Sequence, residues 1–144
     1  FVGDGASKAE LLKRCQGMEN VKFYSFLDDA SYREMLASAD ALLVSLEANL
    51  SGLAVPSKFY TYLAAGRPIL CISDRNTEMA MTIEEFGCGF VISHGDMEGF
   101  RDDVIALKND RKLSRQQGVV ARNLFKERYQ KEQIVKRYEK KKKK

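Results

Sequence analysis

Four short apolar runs, Val21–Tyr24, Ala41–Leu46, Pro68–Ile72 and Phe90–Ile92, recur along the chain, each separated from the next by a stretch with helical spacing. In Ala41-Leu42-Leu43-Val44 and Ile69-Leu70-Cys71-Ile72 the apolarity is continuous rather than alternating, the pattern of strands covered on both faces. Between the runs, Leu11, Leu12 and Cys15 fall on one helix face, as do Phe59, Tyr62 and Leu63, and as do Met97, Phe100, Val104 and Leu107. Strand and helix therefore alternate, which predicts an α/β fold with a doubly wound parallel sheet and right-handed crossovers. Beyond Leu107 the pattern is wholly helical. Val120, Leu124 and Tyr129 share one face and Ile134, Val135 and Tyr138 a last short one, so two closing helices are expected at the C-terminal end.

With 144 residues, 44% of them apolar, the chain can bury one core, and residues 1–139 are read as a single domain. The net charge of +4 is uneven: residues 126–144 hold ten Lys/Arg against three Glu, or +7, which leaves −3 for residues 1–125. A mildly acidic body repels a phosphodiester backbone, so nucleic acid is not an expected partner. Residues 140–144, all lysine, are read as a basic disordered tail, either a plain solvated end or a peripheral contact with anionic lipid. No apolar run reaches the roughly 18 residues of a membrane span, and no secretory signal opens the chain. Cys15, Cys71 and Cys88, an odd set without CxxC spacing, read as reduced core thiols of a cytoplasmic protein. The lone His94 has no ligand partners at metal spacing, and no metal is expected.

Ligands of open parallel sheets sit beyond the C-terminal strand ends, where helices begin. Three loops qualify: Gly3-Asp4-Gly5, Glu47–Val55 leading into Pro56-Ser57-Lys58, and Ser73–Thr77. The second is the most informative. Ser51, Gly52 and Ser57 leave room for close backbone approach, Pro56 suits the first helical turn, and the free amides there, the helix dipole and Lys58 can hold a diphosphate. An ordinary loop and helix cap with a solvated lysine fits the same residues, and Gly3-Asp4-Gly5 fits a tight strand-to-helix turn. No Walker-type glycine run and no Ser/His/Asp set is present.

The segments Val2-Gly3-Asp4-Gly5, Asn20-Val21-Lys22-Phe23, Ala39-Asp40-Ala41-Leu42-Leu43-Val44-Ser45, Val55-Pro56-Ser57-Lys58, Ala64-Ala65-Gly66-Arg67-Pro68-Ile69 and Gly87-Cys88-Gly89-Phe90-Val91 span almost the whole chain. In order and spacing they resemble the C-terminal, donor-binding domain of retaining glycosyltransferases of the GT-B fold, the glycosyl transferases group 1 type. The combination of Pro-Ser-Lys with Leu-Ala-Ala-Gly-Arg-Pro is similar to a subgroup that builds bacterial surface polysaccharides. The resemblance implies a Rossmann-like domain that binds a nucleotide sugar, most often linked to uridine diphosphate, as substrate and without a metal.

By the same resemblance, amides at Ser51, Gly52 and Leu53 hold the donor's sugar and diphosphate with Ser57 and Lys58. Gly3 and Gly5 approach the donor, and Ser25, Phe26 and Leu27 lie against its base. Many family members carry a pair of glutamates, the second directly before the small-residue run. The corresponding positions here are Leu53 and Thr61, so that signature is absent, and the ribose contact falls to the Thr61 hydroxyl and to Glu47, which can equally be a solvated loop carboxylate. The family's acceptor-binding N-terminal domain and first donor-domain strand are expected upstream of Phe1, so catalytic residues cannot be assigned. The expected acceptor is a polysaccharide or glycolipid, and the expected location is the cytoplasm or the inner membrane face.

Two other readings keep the same fold. One is a non-catalytic regulatory or protein-interaction module, although a receiver-like domain needs acids at strand ends and Asp40 starts a strand. The other is a sugar-nucleotide epimerase.

Overall fold

The computed structural model of the chain describes residues 1–48 and 55–135, which fall into two compact units, Phe1–Met35 and Leu36–Lys144. The expected lysine tail, 140–144, lies outside the described residues, as does Tyr138.

The larger unit carries a three-stranded, wholly parallel sheet: β1 (Leu42–Ser45), β2 (Ile69–Ile72) and β3 (Gly89–Ile92), in the order β1-β2-β3. Ile69 stands beside Leu42 on one side and Gly89 on the other. Rungs extend past the strands, with Leu42 N–H donating to the Pro68 carbonyl at 2.9 Å and Ser73 N–H to that of Ile92 at 3.2 Å. Parallel strands need crossovers. These are α3 (Ser57–Ala65) and α4 (Glu78–Phe86), with α5 (Met97–Asn109) and α6 (Arg111–Leu124) following β3.

The continuous apolarity of β2 is explained by its two covered faces. Ile69 and Cys71 enter a cluster with Phe59 and Leu63 of α3, Met79 and Ile83 of α4, and Ala121 and Leu124 of α6. Leu70 turns the other way, into a cluster with Ile92 and with Leu107 of α5. Helices on both faces of a parallel sheet make the doubly wound, Rossmann-like arrangement that the alternation predicts. β1 departs from it: Leu42 and Val44 are buried, but Leu43, beside Leu70 in register, is 44% exposed. On α5, Phe100 and Leu107 face the sheet as expected, whereas Met97 is 72% exposed and Val104 39%. The shared face is thus narrower than the spacing implies.

The first closing helix is held by an unusually close approach. A Cβ on Gly118 of α6 would stand 2.5 Å from the carbonyl oxygen of Gly66, the left-handed residue (φ +68°) that ends α3. Beside it the Arg122 guanidinium donates to the Ala64 carbonyl, one of the acceptors that a helix C-terminus leaves free. A π-helical turn, Phe125–Tyr129, then carries Tyr129 against Tyr60 of α3, ring centroids 5.0 Å apart. Val120, Leu124 and Tyr129 therefore pack inward together, as their spacing predicts. Ile134 and Val135 sit in a helical stretch, but both are exposed.

The smaller unit contains α1 (Lys8–Arg14) and most of α2 (Asp29–Ser38). Val21–Tyr24, expected as a strand, forms only an isolated parallel bridge between Val2 and Tyr24. The bridge consists of Tyr24 N–H to the Phe1 carbonyl at 2.8 Å and Gly3 N–H to the Tyr24 carbonyl at 3.0 Å. The Phe1 and Phe23 rings stack at 5.1 Å. α1 buries none of its residues, and Leu12 is 46% exposed. The face of Leu11, Leu12 and Cys15 is apolar by sequence but covers no core, and Cys15 is half-buried rather than a core thiol.

Candidate functional site

Three helices of the larger unit start just beyond the C-terminal ends of its strands, and their first turns differ chemically. At α4 the Thr77 hydroxyl accepts from Ala80 N–H at 3.1 Å and donates to the Asp74 carbonyl. It also meets the buried Ser73 hydroxyl at 3.1 Å, which in turn lies 3.3 Å from the Cys71 sulfur. Ser73–Thr77, one of the three candidate ligand loops, is thereby tied into its own hydrogen bonds, and its helix start is closed. At α5 the Asp96 carboxylate accepts from Gly99 N–H at 2.9 Å, which both satisfies that amide and places a negative charge where an anion would come.

The start of α3 is different. Pro56 stands at the N-cap (φ −58°, ψ 129°), and it makes no side-chain cap bond, nor does any other described residue. The helix thus begins at Ser57 rather than at the proline, a correction to the expected opening at Pro56. The consequence is chemical: a proline has no side-chain acceptor, and a helix start leaves its first amides without intrahelical partners. Ser57 and Lys58 are exposed there, and Glu47 is exposed just past the end of β1. One turn on, the Thr61 hydroxyl donates to the Ser57 carbonyl at 3.4 Å, a long bond that a better acceptor can displace. Phe59, fully buried, pins this turn to the core. Ser51, Gly52 and Leu53, the loop proposed to hold sugar and diphosphate, lie outside the described residues.

Five further candidates, Gly3, Gly5, Ser25, Phe26 and Leu27, belong to the smaller unit. Gly3 adopts φ +124°, and a Cβ there would lie 3.8 Å from the Phe26 ring; a Cβ on Gly5 would meet open space. Ser25 and Phe26 are exposed and Leu27 is half-buried. Asp4, between the two glycines of this candidate loop, is engaged on both carboxylate oxygens. Its carboxylate pairs with Lys8 and accepts from Phe26 N–H at 3.2 Å. The Lys8 hydrogen bond, above all, holds this carboxyl below the usual carboxylate range; partial desolvation opposes it, while the Phe26 N–H and Ser25 act with it. The Asp4/Lys8 spacing of one helical turn was the available signal.

The remaining reactive groups are occupied or buried. Asp28 caps α2 through the amides of Ala30 and Ser31 at 3.0 and 2.9 Å. Burial pushes the Cys88 thiol up to about 11 and raises that of Cys71, so both stay protonated at neutral pH. His94 is exposed, and among the described residues no three His, Cys, Asp or Glu side chains gather as a metal cluster. Nor is any described helix long and apolar enough to cross a membrane.

Comparison with known proteins adds three findings. Residues 1–110 match the family described as glycosyl transferases group 1. The chain is 36% identical over 95 residues to a probable glycosyltransferase, WbjE, of Pseudomonas aeruginosa, an alignment covering 62% of this chain and 23% of that protein. It superposes on the crystal structure of WaaG, a glycosyltransferase involved in lipopolysaccharide biosynthesis, with a TM-score of 0.67 and 25% identity, covering 89% of this chain and 33% of WaaG. The chain thus spans about a quarter to a third of the length of these relatives.

Proposed function

From a chain that belongs to the glycosyl transferases group 1 family, we propose that it is the C-terminal, donor-binding part of a retaining GT-B glycosyltransferase that transfers sugar from a uridine diphosphate donor to a polysaccharide or glycolipid acceptor. The observation that carries the reading is the start of α3. Among the described residues no side chain caps this helix N-terminus, which follows parallel strand β1 and carries Lys58 in its first turn, while at α4 and α5 the side chains of Thr77 and Asp96 each take one first-turn amide. In this reading the diphosphate lies on the amides of Ser57 and Lys58, completed by the loop of Ser51, Gly52 and Leu53. The Thr61 hydroxyl and Glu47 serve the ribose; in the smaller unit, taken by itself, Ser25, Phe26 and Leu27 are proposed to meet a base and Gly3 and Gly5 to allow close approach.

As the sugar leaves, negative charge grows on the diphosphate. Helix dipole, amides and the Lys58 ammonium stabilise that charge with no reorganisation, and no metal is invoked. The acceptor, whose nucleophile attacks the sugar, binds an N-terminal domain supplied from outside these 144 residues. The reading places the enzyme in the cytoplasm, where thiols such as Cys71 and Cys88 stay reduced, with Lys140–Lys144 available to anionic lipid. The family match favours it over an epimerase. Asp28, committed to its helix cap, speaks against a receiver-like module.

Melting experiments test this. A ligand that binds only the folded state at one hundred times its Kd stabilises by about 2.7 kcal/mol, roughly 5–10 °C for a chain of this size. Uridine diphosphate with chelator present is expected to raise Tm by that order and uridine by far less, and Lys58→Ala should shrink the gap. Equal shifts for nucleoside and nucleoside diphosphate, or no effect of Lys58→Ala, would place the anion elsewhere.

A further inference from the structure

We propose that Asp4 is a positioning residue, a carboxylate latch that fixes the Ser25–Leu27 segment so that the Phe26 ring stays presented to the nucleobase. The inference rests on the nucleotide reading above for its purpose, but its geometry stands on the smaller unit alone. The parallel bridge between Val2 and Tyr24 supplies two rungs, Tyr24 N–H to the Phe1 carbonyl and Gly3 N–H to the Tyr24 carbonyl. In a continuing parallel ladder the next rung would run from Phe26 N–H to the Gly3 carbonyl. Gly3, at φ +124°, leaves the extended path, and Phe26 N–H instead donates to Asp4 Oδ2 at 3.2 Å. The carboxylate thus replaces a backbone carbonyl at the point where the ladder ends.

A further contact makes the latch a fixed one. Lys8 Nζ, from the first turn of α1, pairs with the other carboxylate oxygen, Oδ1. Charge-assisted bonds of this kind are roughly twice as strong as neutral ones, so the backbone at Ser25 and Phe26 is held although the segment is exposed. The ring it carries is 79% exposed, more than any other large apolar side chain among the described residues. An aromatic face held out to solvent on a pinned backbone is what base stacking requires, and each such stack is sequence-tolerant because every base has a π-face.

The test uses the whole 144-residue chain with Asp4→Ala and Asp4→Asn, the latter retaining an acceptor oxygen. Hydrogen exchange at the Phe26 amide is read by NMR, and the Kd values of uridine diphosphate and of inorganic pyrophosphate are measured. Asp4→Ala is expected to speed Phe26 exchange and to weaken uridine diphosphate about tenfold, leaving pyrophosphate unchanged, and Asp4→Asn is expected to restore most of both effects. A merely structural loss would lower both ligands alike. If wild type binds uridine diphosphate and Asp4→Ala binds it equally well, or loses both ligands equally, the latch is overturned. If wild type binds no nucleotide at all, the nucleotide reading fails together with the purpose assigned to the latch; unchanged Phe26 exchange in Asp4→Ala would refute its geometry as well.

Discussion

Replacing Gly89 with alanine or valine is expected to cost more than about 4 kcal/mol and to leave the chain without a cooperative unfolding transition near neutral pH. Gly89 opens β3 opposite Ile69, and a Cβ built on it would stand under 3.0 Å from the carbonyl oxygen, carbon and nitrogen of Ile69. Those three atoms are backbone, so no side chain can rotate away, and relief would require β3 to withdraw from β2. Ile69 and Leu70 of β2 belong to both core clusters between them, so their separation from β3 opens the packing on both sheet faces. Because the first carbon of the side chain already clashes, alanine should be nearly as damaging as valine. Urea titration followed by far-UV circular dichroism checks this. A Gly89→Ala protein that unfolds cooperatively within about 1 kcal/mol of wild type would show that the two strands are not this close.

Phe59→Ala is expected to lower stability by about 3–5 kcal/mol, with Phe59→Leu costing about 1–2 kcal/mol. The Phe59 side chain is fully buried, packs edge-on against Tyr60 at 5.5 Å and shares its cluster with Leu63, Ile69 and Met79. Its removal leaves a cavity directly beneath the first turn of α3, the turn that presents Ser57 and Lys58. Stability and ligand affinity should therefore fall together in Phe59→Ala, whereas Leu63→Ala, one turn further along, should lower stability with less effect on nucleotide binding. Denaturation midpoints and nucleotide Kd values for the two variants check the pair. Equal loss of affinity in both would mean that the first turn is not locally anchored.

The larger unit was legible because its signals are local. Continuous apolar runs marked β1, β2 and β3, and Gly66 and Gly87, both left-handed helix ends, punctuated the crossovers. What depends on distant partners was not legible. Val21–Tyr24 has the composition of a strand, but pairing needs a neighbour, and in its own unit only Val2 supplies one. Leu43 and Met97 are apolar yet exposed, since a helix or strand face is apolar by sequence whether or not anything covers it. Gly89 and Gly118 are read as ordinary glycines until the strand and helix they touch are in place. At the site, the proline before α3 and the lysine in its first turn were visible as a pattern. That Pro56 caps rather than begins the helix, and that Thr77 and Asp96 close the competing helix starts, required the structure. Asp4 escaped because its partner Phe26 lies twenty-two residues away.

The central claim, that the start of α3 in the larger unit receives a diphosphate, is tested most directly, together with the separate proposal that Ser25–Leu27 of the smaller unit meets a base, by mapping amide NMR shifts of the chain under titration with uridine diphosphate, inorganic pyrophosphate and uridine in the presence of chelator. The expected result is that pyrophosphate and uridine diphosphate both move the amides of Ser57 and Lys58, that only the ligands carrying a base move Ser25, Phe26 and Leu27, and that Ser73–Thr77 is unmoved. Shifts centred on Ser73–Thr77, or on residues at neither segment, would contradict it.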